Sequence, residues 1–306
     1  MFLLEMSRTM KLINNALICL KMILKNYGFY ICVLFTFILC LCTGIYIEPI
    51  TNNEYSVIKV LKSFDHNYML NDRMLCSYMV AERGAGSWLS MFIPIISAFA
   101  SIPLICDEKE AGFIRLSIFR SSKYSYYASK FLTSCIAGGL AVMLGYFFYT
   151  ISVYFLFPNI NEYPPEIQEM LNEELSNMYP EASKHGYIAL HAIKFFEMFI
   201  FGTVASVPAV SLTCFMRNKY LIMCIPFFFK YAVTQGCERL MSAAFKDISD
   251  PNEKLAKLAG TLSPDATLNV FSSANMRQIL LYNGILVLIA FTIYILVSER
   301  RFDCGE

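Results

Sequence analysis

Residues 131–157 read FLTSCIAGGLAVMLGYFFYTISVYFLF, and none of them carries a charge. The hydrocarbon core of a bilayer is about 30 Å thick and a helix rises about 1.5 Å per residue, so roughly 20 mostly apolar residues cross it. This run is long enough, and it is continuously apolar, whereas a barrel strand alternates between lipid and lumen at every second position. It predicts a membrane-spanning helix. Similar stretches over 28–48, 86–106, 187–215, 220–243 and 279–298 bring the expected spans to six. The whole chain, with 57% hydrophobic and 16% charged residues and a mean hydropathy of +0.50, lies outside the range of ordinary soluble domains. The expected fold class is all-α: a polytopic membrane protein whose residues 1–306 form a single transmembrane domain.

Lys and Arg set the expected orientation. With residues 1–27 inside, the inner segments hold Arg8, Lys11, Lys21, Lys25, Lys109, Arg115, Arg120, Lys123, Lys130, Arg217, Lys219, Arg300 and Arg301. The outer segments are then 49–85, 158–186 and 238–278. They are longer yet poorer in Lys and Arg, and the second carries Glu162, Glu166, Glu169, Glu173, Glu174 and Glu181. Both termini are expected in the cytoplasm. The net charge of +1 says nothing about partners, because charge is segregated by membrane side; no nucleic-acid partner is expected. Cys42-Thr43-Gly44-Ile45-Tyr46 offers no small-x-small cleavage pattern, so the first span is expected to stay in the chain.

Residues 2–26 mix apolar positions (Leu3, Met6, Met10, Ile13, Leu17, Leu24) with polar ones at near-helical spacing. This fits a helix lying in the inner interface or a solvated leader with helical tendency. Pro49, just past the first span, is expected to end it, and segment 49–85 reads as a short folded excursion. In 158–186, Ile167, Met170, Leu171, Leu175 and Met178 predict an amphipathic outer helix. In 238–278 a helix is expected around Leu240 to Ile248, followed by a turn at Asp250-Pro251. Ala137, Ala141 and Gly145, with Gly138 beside them, let another helix approach the third span closely, either within the chain or across a dimer seam. Pro94, Pro103, Pro208 and Pro226 are expected to kink their spans. Most of the eleven cysteines sit in apolar stretches as small hydrophobes. Cys76 and Cys237 fall in or beside outer segments, where a disulfide between them is left open.

Residues 107–130 form the expected cytoplasmic hinge. The cluster Asp107-Glu108-Lys109-Glu110 follows the second span, Gly112 breaks it, and Phe113-Ile114-Arg115-Leu116-Ser117-Ile118-Phe119-Arg120 forms a short amphipathic stretch leading to Ser129-Lys130. An apolar face ringed by charges can dock into a partner's groove, and charges flanking a span can also serve only as anchors. The hinge resembles that of ABC-2 type transporter permeases in Glu108, Glu110, Gly112, Ser129 and Lys130, and the resemblance extends to the six-span plan with its interfacial helix 1–27. It implies a permease subunit in a bacterial plasma membrane, paired with a second permease, identical or homologous. It also implies a nucleotide-binding ATPase subunit engaged through Asp107, Glu108, Glu110, Gly112, Phe113, Arg115, Phe119 and Arg120. Unlike the family pattern, segment 238–278 is long and polar, with no re-entrant helical pair legible in it.

No phosphate-binding G-x-x-x-x-G-K-[ST] occurs, so ATP and Mg belong to the partner, and the chain is expected to bind no cofactor and to be no enzyme. His66, His185 and His191 make no H-E-x-x-H, and no metal site is expected. Charges inside spans are costly, which singles out Lys194, Glu197 and Lys230, with His191 one turn away. His191, Lys194, Glu197 and Lys230 are candidates to line a translocation route; Lys194 and Glu197, three apart on one helix face, can form an ion pair, or snorkel to the outer interface instead. Tyr146 and Tyr149 either line a cavity or pack. By analogy of fold and chain size, the substrate reading is export of, or immunity to, an amphipathic antimicrobial peptide or similar hydrophobic molecule. A non-transporting accessory or sensor protein is the alternative.

Overall fold

The computed structural model describes residues 2–48, 52–178, 186–246, 252–273 and 275–303. It is 83% helical, and the protein is an all-α polytopic membrane protein. Helices α1 (Phe2–Lys25) and α2 (Tyr27–Cys42) meet at a 64° bend. Asn26 makes the corner: its side chain accepts from the Gly28 N–H at 3.0 Å and caps α2. α1 lies against the third span. Asn15 reaches Ser125 at 3.3 Å, while Met10, Ile13, Leu17 and Ile18 stay exposed.

The first expected span, 28–48, is helical only to Cys42. Beyond it β1 (Gly44–Ile47) pairs antiparallel with β2 (Glu54–Ser56), a small departure from the all-helical expectation. Ile45, Tyr46 and Ile47 suit a pleated surface, and Gly44 leaves room for the Glu54 side chain that a Cβ would strike. The excursion continues through α3 (Val57–Ser63), α4 (His66–Met69) and α5 (Ser77–Gly84).

The second stretch forms α6 (Ser87–Phe99) and α7 (Ile102–Glu110), broken at Ala100–Ser101. Pro103 causes the break. In a continuous helix its ring would press on the Phe99 carbonyl, whereas at the start of α7 its missing N–H costs nothing. Pro94, inside α6, does not end it. The hinge helix α8 (Phe113–Arg120) follows, and α9 (Lys123–Leu156) starts ahead of the expected 131 because Ser122 caps it, accepting from the Ser125 N–H at 3.2 Å.

The amphipathic helix predicted in 158–186 is α10 (Pro165–Met178). Its Leu171 and Leu175 are buried with Cys76, Tyr78, Ile160, Tyr163 and Leu190 in a small separate cluster. Tyr163 donates to the Met69 carbonyl at 3.1 Å, and burial pushes its phenol well above the usual range. Glu181 lies outside the described residues. Then come α11 (Tyr187–Leu212), α12 (Lys219–Ala244), α13 (Glu253–Leu262), a 3-10 turn at Pro264–Asn269 and α14 (Met276–Asp303). The helix expected near Leu240 is the C-terminal end of α12, and the Asp250-Pro251 turn lies outside the described residues. The separate helix here is α13. It starts where the Asn252 side chain accepts from the Leu255 N–H and Glu253 occupies the first turn.

Among the described residues, four segments are long and apolar enough to cross a membrane: Trp88–Glu110, α9, α11 and α14. The bent α1–α2 pair makes a fifth if it is one span. α12 is as long as α11, but Lys219, Lys230, Gln235, Glu238 and Arg239 dilute its apolar character. The small face of α9 is used inside the chain: Gly138 and Gly139 meet α11, and Gly145 meets α2. Cys76 and Cys237 are buried free thiols, as are most of the described cysteines.

Candidate functional site

Two polar clusters stand at opposite ends of the helices. At the first, Gly112 adopts φ +70°, the left-handed conformation that favours glycine, and turns the chain sharply between α7 and α8. A Cβ there would meet nothing within 4 Å, so Gly112→Ala should lose only conformational energy, about 1–2 kcal/mol, seen as a small drop in thermal midpoint.

The last turn of α7 grips three helices with consecutive side chains. Asp107 pairs with Lys219 of α12 at 3.1 Å. Glu108 pairs with Lys130 of α9 at 2.5 Å and accepts from Tyr126 at 3.4 Å. Lys109 donates to the Thr213 carbonyl at the end of α11. A cation there complements both the orphan carbonyl and the helix dipole.

The expected coupling residues therefore divide. Glu108 faces inward with its carboxylate committed to Lys130, and Asp107 is held by Lys219, because lysines from neighbouring helices reach both. Glu110, Gly112, Phe113 and Phe119 are exposed, the last two at 58% and 89%. Arg115 and Arg120 lie on α8, and their side chains fall outside the described part of the structure. Sequence reasoning did not pair Glu108 with Lys130 or give Lys109 and Lys219 these partners, since no local spacing links residues on different helices.

The second cluster gathers most of the expected path residues. Lys194 and Glu197 are 5% and 0% exposed and pair at 3.4 Å, one turn apart on α11. They do not snorkel, because the segment after α13 covers them. Lys194 donates to the Leu268 carbonyl at 3.2 Å and to Asn269 Oδ1, and stands 3.9 Å from Glu82. Glu197 accepts from the Phe271 N–H at 2.8 Å. His191 is set apart, 2.5 Å from the Tyr154 hydroxyl. Tyr146 and Tyr149 are buried and donate to the carbonyls of Ala81 and Val80, both at 2.9 Å, so they fasten α5 to α9 and line no open route.

Lys230 is also buried. Its ammonium donates to the Ser90 carbonyl, to Ser90 Oγ at 2.7 Å and to Asp265 Oδ1 at 2.7 Å, and lies 5.2 Å from the Phe201 ring centre. Among the described residues no three potential metal ligands converge. A cavity of about 330 Å³ adjoins Lys194, lined by Thr43, Gly44, Glu82, Arg83, Leu268 and Asn269 among others.

No family model, curated protein or solved structure matches this chain.

Proposed function

We propose that this chain is the membrane subunit of an ATP-driven transporter of the ABC-2 type, working in a bacterial plasma membrane beside a second permease and a nucleotide-binding subunit. In this reading α1 lies in the inner interface, six segments cross the bilayer with α12 among them, and both termini are cytoplasmic. The substrate is an amphipathic antimicrobial peptide or a similar hydrophobic molecule, exported or cleared for immunity.

One observation carries the reading. α8 is a short helix with exposed Phe113 and Phe119, hung on a glycine elbow from the turn of α7 whose side chains hold α9, α11 and α12. Apolar side chains at the centre of a charged rim are what a protein groove recognises. A push on α8 would reach three helices through ionic and hydrogen-bonded ties and not through loops.

The test is co-purification from the native membrane. The tagged chain should bring with it a protein that hydrolyses nucleotide. Phe113→Asp/Phe119→Asp should cut the recovered ATPase about tenfold or more while thermal unfolding stays near wild type, because both side chains are exposed from the rest of the chain. A chain that purifies and works with no nucleotide-hydrolysing partner is the accessory or sensor protein instead.

A further inference from the structure

Between α13 and α14 the chain crosses the end of the helices away from the α7–α8 hinge as the strap Pro264–Phe271. Buried ammonium groups on two different helices hold it. Towards its start, Asp265 is bound by Lys230 of α12 and by Ser90 of α6. Towards its end, the Leu268 carbonyl and Asn269 Oδ1 accept from Lys194 of α11, and the Phe271 N–H donates to Glu197. Thr267, Leu268 and Val270 of the strap are themselves buried, and Leu268 and Asn269 form part of the wall of the 330 Å³ cavity.

The two ends differ in what lifting would leave behind. A buried charge is costly unless it keeps a counter-charge. If the Asp265 end rose, Lys230 would lose its only paired carboxylate among the described residues and keep neutral Ser90 and the Phe201 ring. If the Leu268–Phe271 end rose, Lys194 would lose two neutral oxygens and Glu197 the Phe271 N–H, but the two would keep each other at 3.4 Å and Lys194 would keep Glu82 at 3.9 Å. The freed carbonyl, amide and N–H of the strap would turn to water.

We propose that Pro264–Phe271 is a one-sided gate. Its Leu268–Phe271 end lifts from Lys194 and Glu197 and widens the mouth of the cavity, while the Lys230–Asp265 pair is the fixed end. The gate goes beyond the transporter reading and is read on the isolated full chain, so its failure is separate from the absence of an ATPase partner.

The test places a thiol in the cavity wall as Thr43→Cys, with the exposed Cys42 and Cys224 changed to serine, in the full chain in lipid nanodiscs. The probe is a small cationic methanethiosulfonate. Asn269→Ala removes one acceptor from the lifting end and leaves every ion pair in place, so the chain should fold. A lost hydrogen bond to an ammonium shifts a local opening equilibrium about tenfold. Labelling at position 43 should therefore quicken about tenfold, and amide exchange over Leu268–Phe271 should quicken with it while α9 stays as protected as before. The gate is overturned if Asn269→Ala leaves the labelling rate within about twofold of its parent. It is equally overturned if exchange rises alike at Asp265 and throughout α9, which would make the strap an ordinary part of a cooperative unit.

Discussion

Replacing Glu108 by alanine is expected to destabilise the protein by about 3–5 kcal/mol, because it strands a buried ammonium. The Lys130 side chain is 6% exposed and that of Glu108 17%, at an N–O separation of 2.5 Å. Without the carboxylate, Lys130 keeps a ring contact with Tyr126, at 5.8 Å from its centre, which is too weak to replace a charge partner. The double variant Glu108→Ala/Lys130→Met should recover most of the loss, since an apolar pair of similar volume often matches a buried ion pair. Thermal unfolding in detergent reads both. A single variant within about 1 kcal/mol of wild type, the range of an exposed pair, would show that the pair is solvated. The same comparison bears on coupling. In the transporter reading, a Glu108 variant that recovers less ATPase should lose stability as well, whereas Phe119→Asp should lower the recovered ATPase alone.

This division marks where the amino-acid sequence stopped being readable. Features carried by one helix were legible: the uncharged run of α9, the amphipathic spacing that makes Leu171 and Leu175 the buried side of α10, and the break at Gly112. So was the Lys194–Glu197 pair, since a separation of three residues puts both on one helix face. Features that depend on which helices meet were not legible. Glu108 read as part of a docking surface because its sequence neighbours are charged, and only packing brings α9 close enough for Lys130 to take it. The strap was missed for a related reason. Asp265, Asn269 and the backbone of Leu268 and Phe271 lie in a polar stretch that reads as an outer loop, and nothing local shows that it covers two lysines from other helices. The end of the first span was misplaced at Pro49, since apolarity continues through Ile45-Tyr46-Ile47 while the backbone changes from helix to strand. Hydropathy reports burial and is blind to that change.

Gly139→Val is expected to cost about 3 kcal/mol or more, at the upper end of what overpacking costs. An ideal Cβ at Gly139 would lie 2.3 Å from Thr203 Oγ1 and 2.6 Å from the Phe199 carbonyl oxygen, so α11 itself would have to move. From the other side, a Cβ at Gly202 would fall 2.9 Å from the Gly138 carbonyl oxygen and the Gly139 Cα, both backbone. In lipid no hydrophobic force drives two helices together, and close van der Waals contact between backbones does that work. Gly236→Ala and Gly284→Ala are the controls. Each lies inside a helix with nothing within 4 Å of the new Cβ, so each should be neutral or stabilising by about 0.5–1 kcal/mol through the entropy of the unfolded chain. Thermal unfolding of the three variants separates a close crossing from a general dislike of β-carbons at glycine. α11 also carries Lys194 and Glu197, so displacing it at Gly139 should loosen the Leu268–Phe271 end of the strap. Gly139→Val should therefore quicken labelling at position 43 as Asn269→Ala does, while Gly236→Ala and Gly284→Ala leave it unchanged. Unchanged labelling in a folded Gly139→Val protein would mean that the strap follows α11 as it moves.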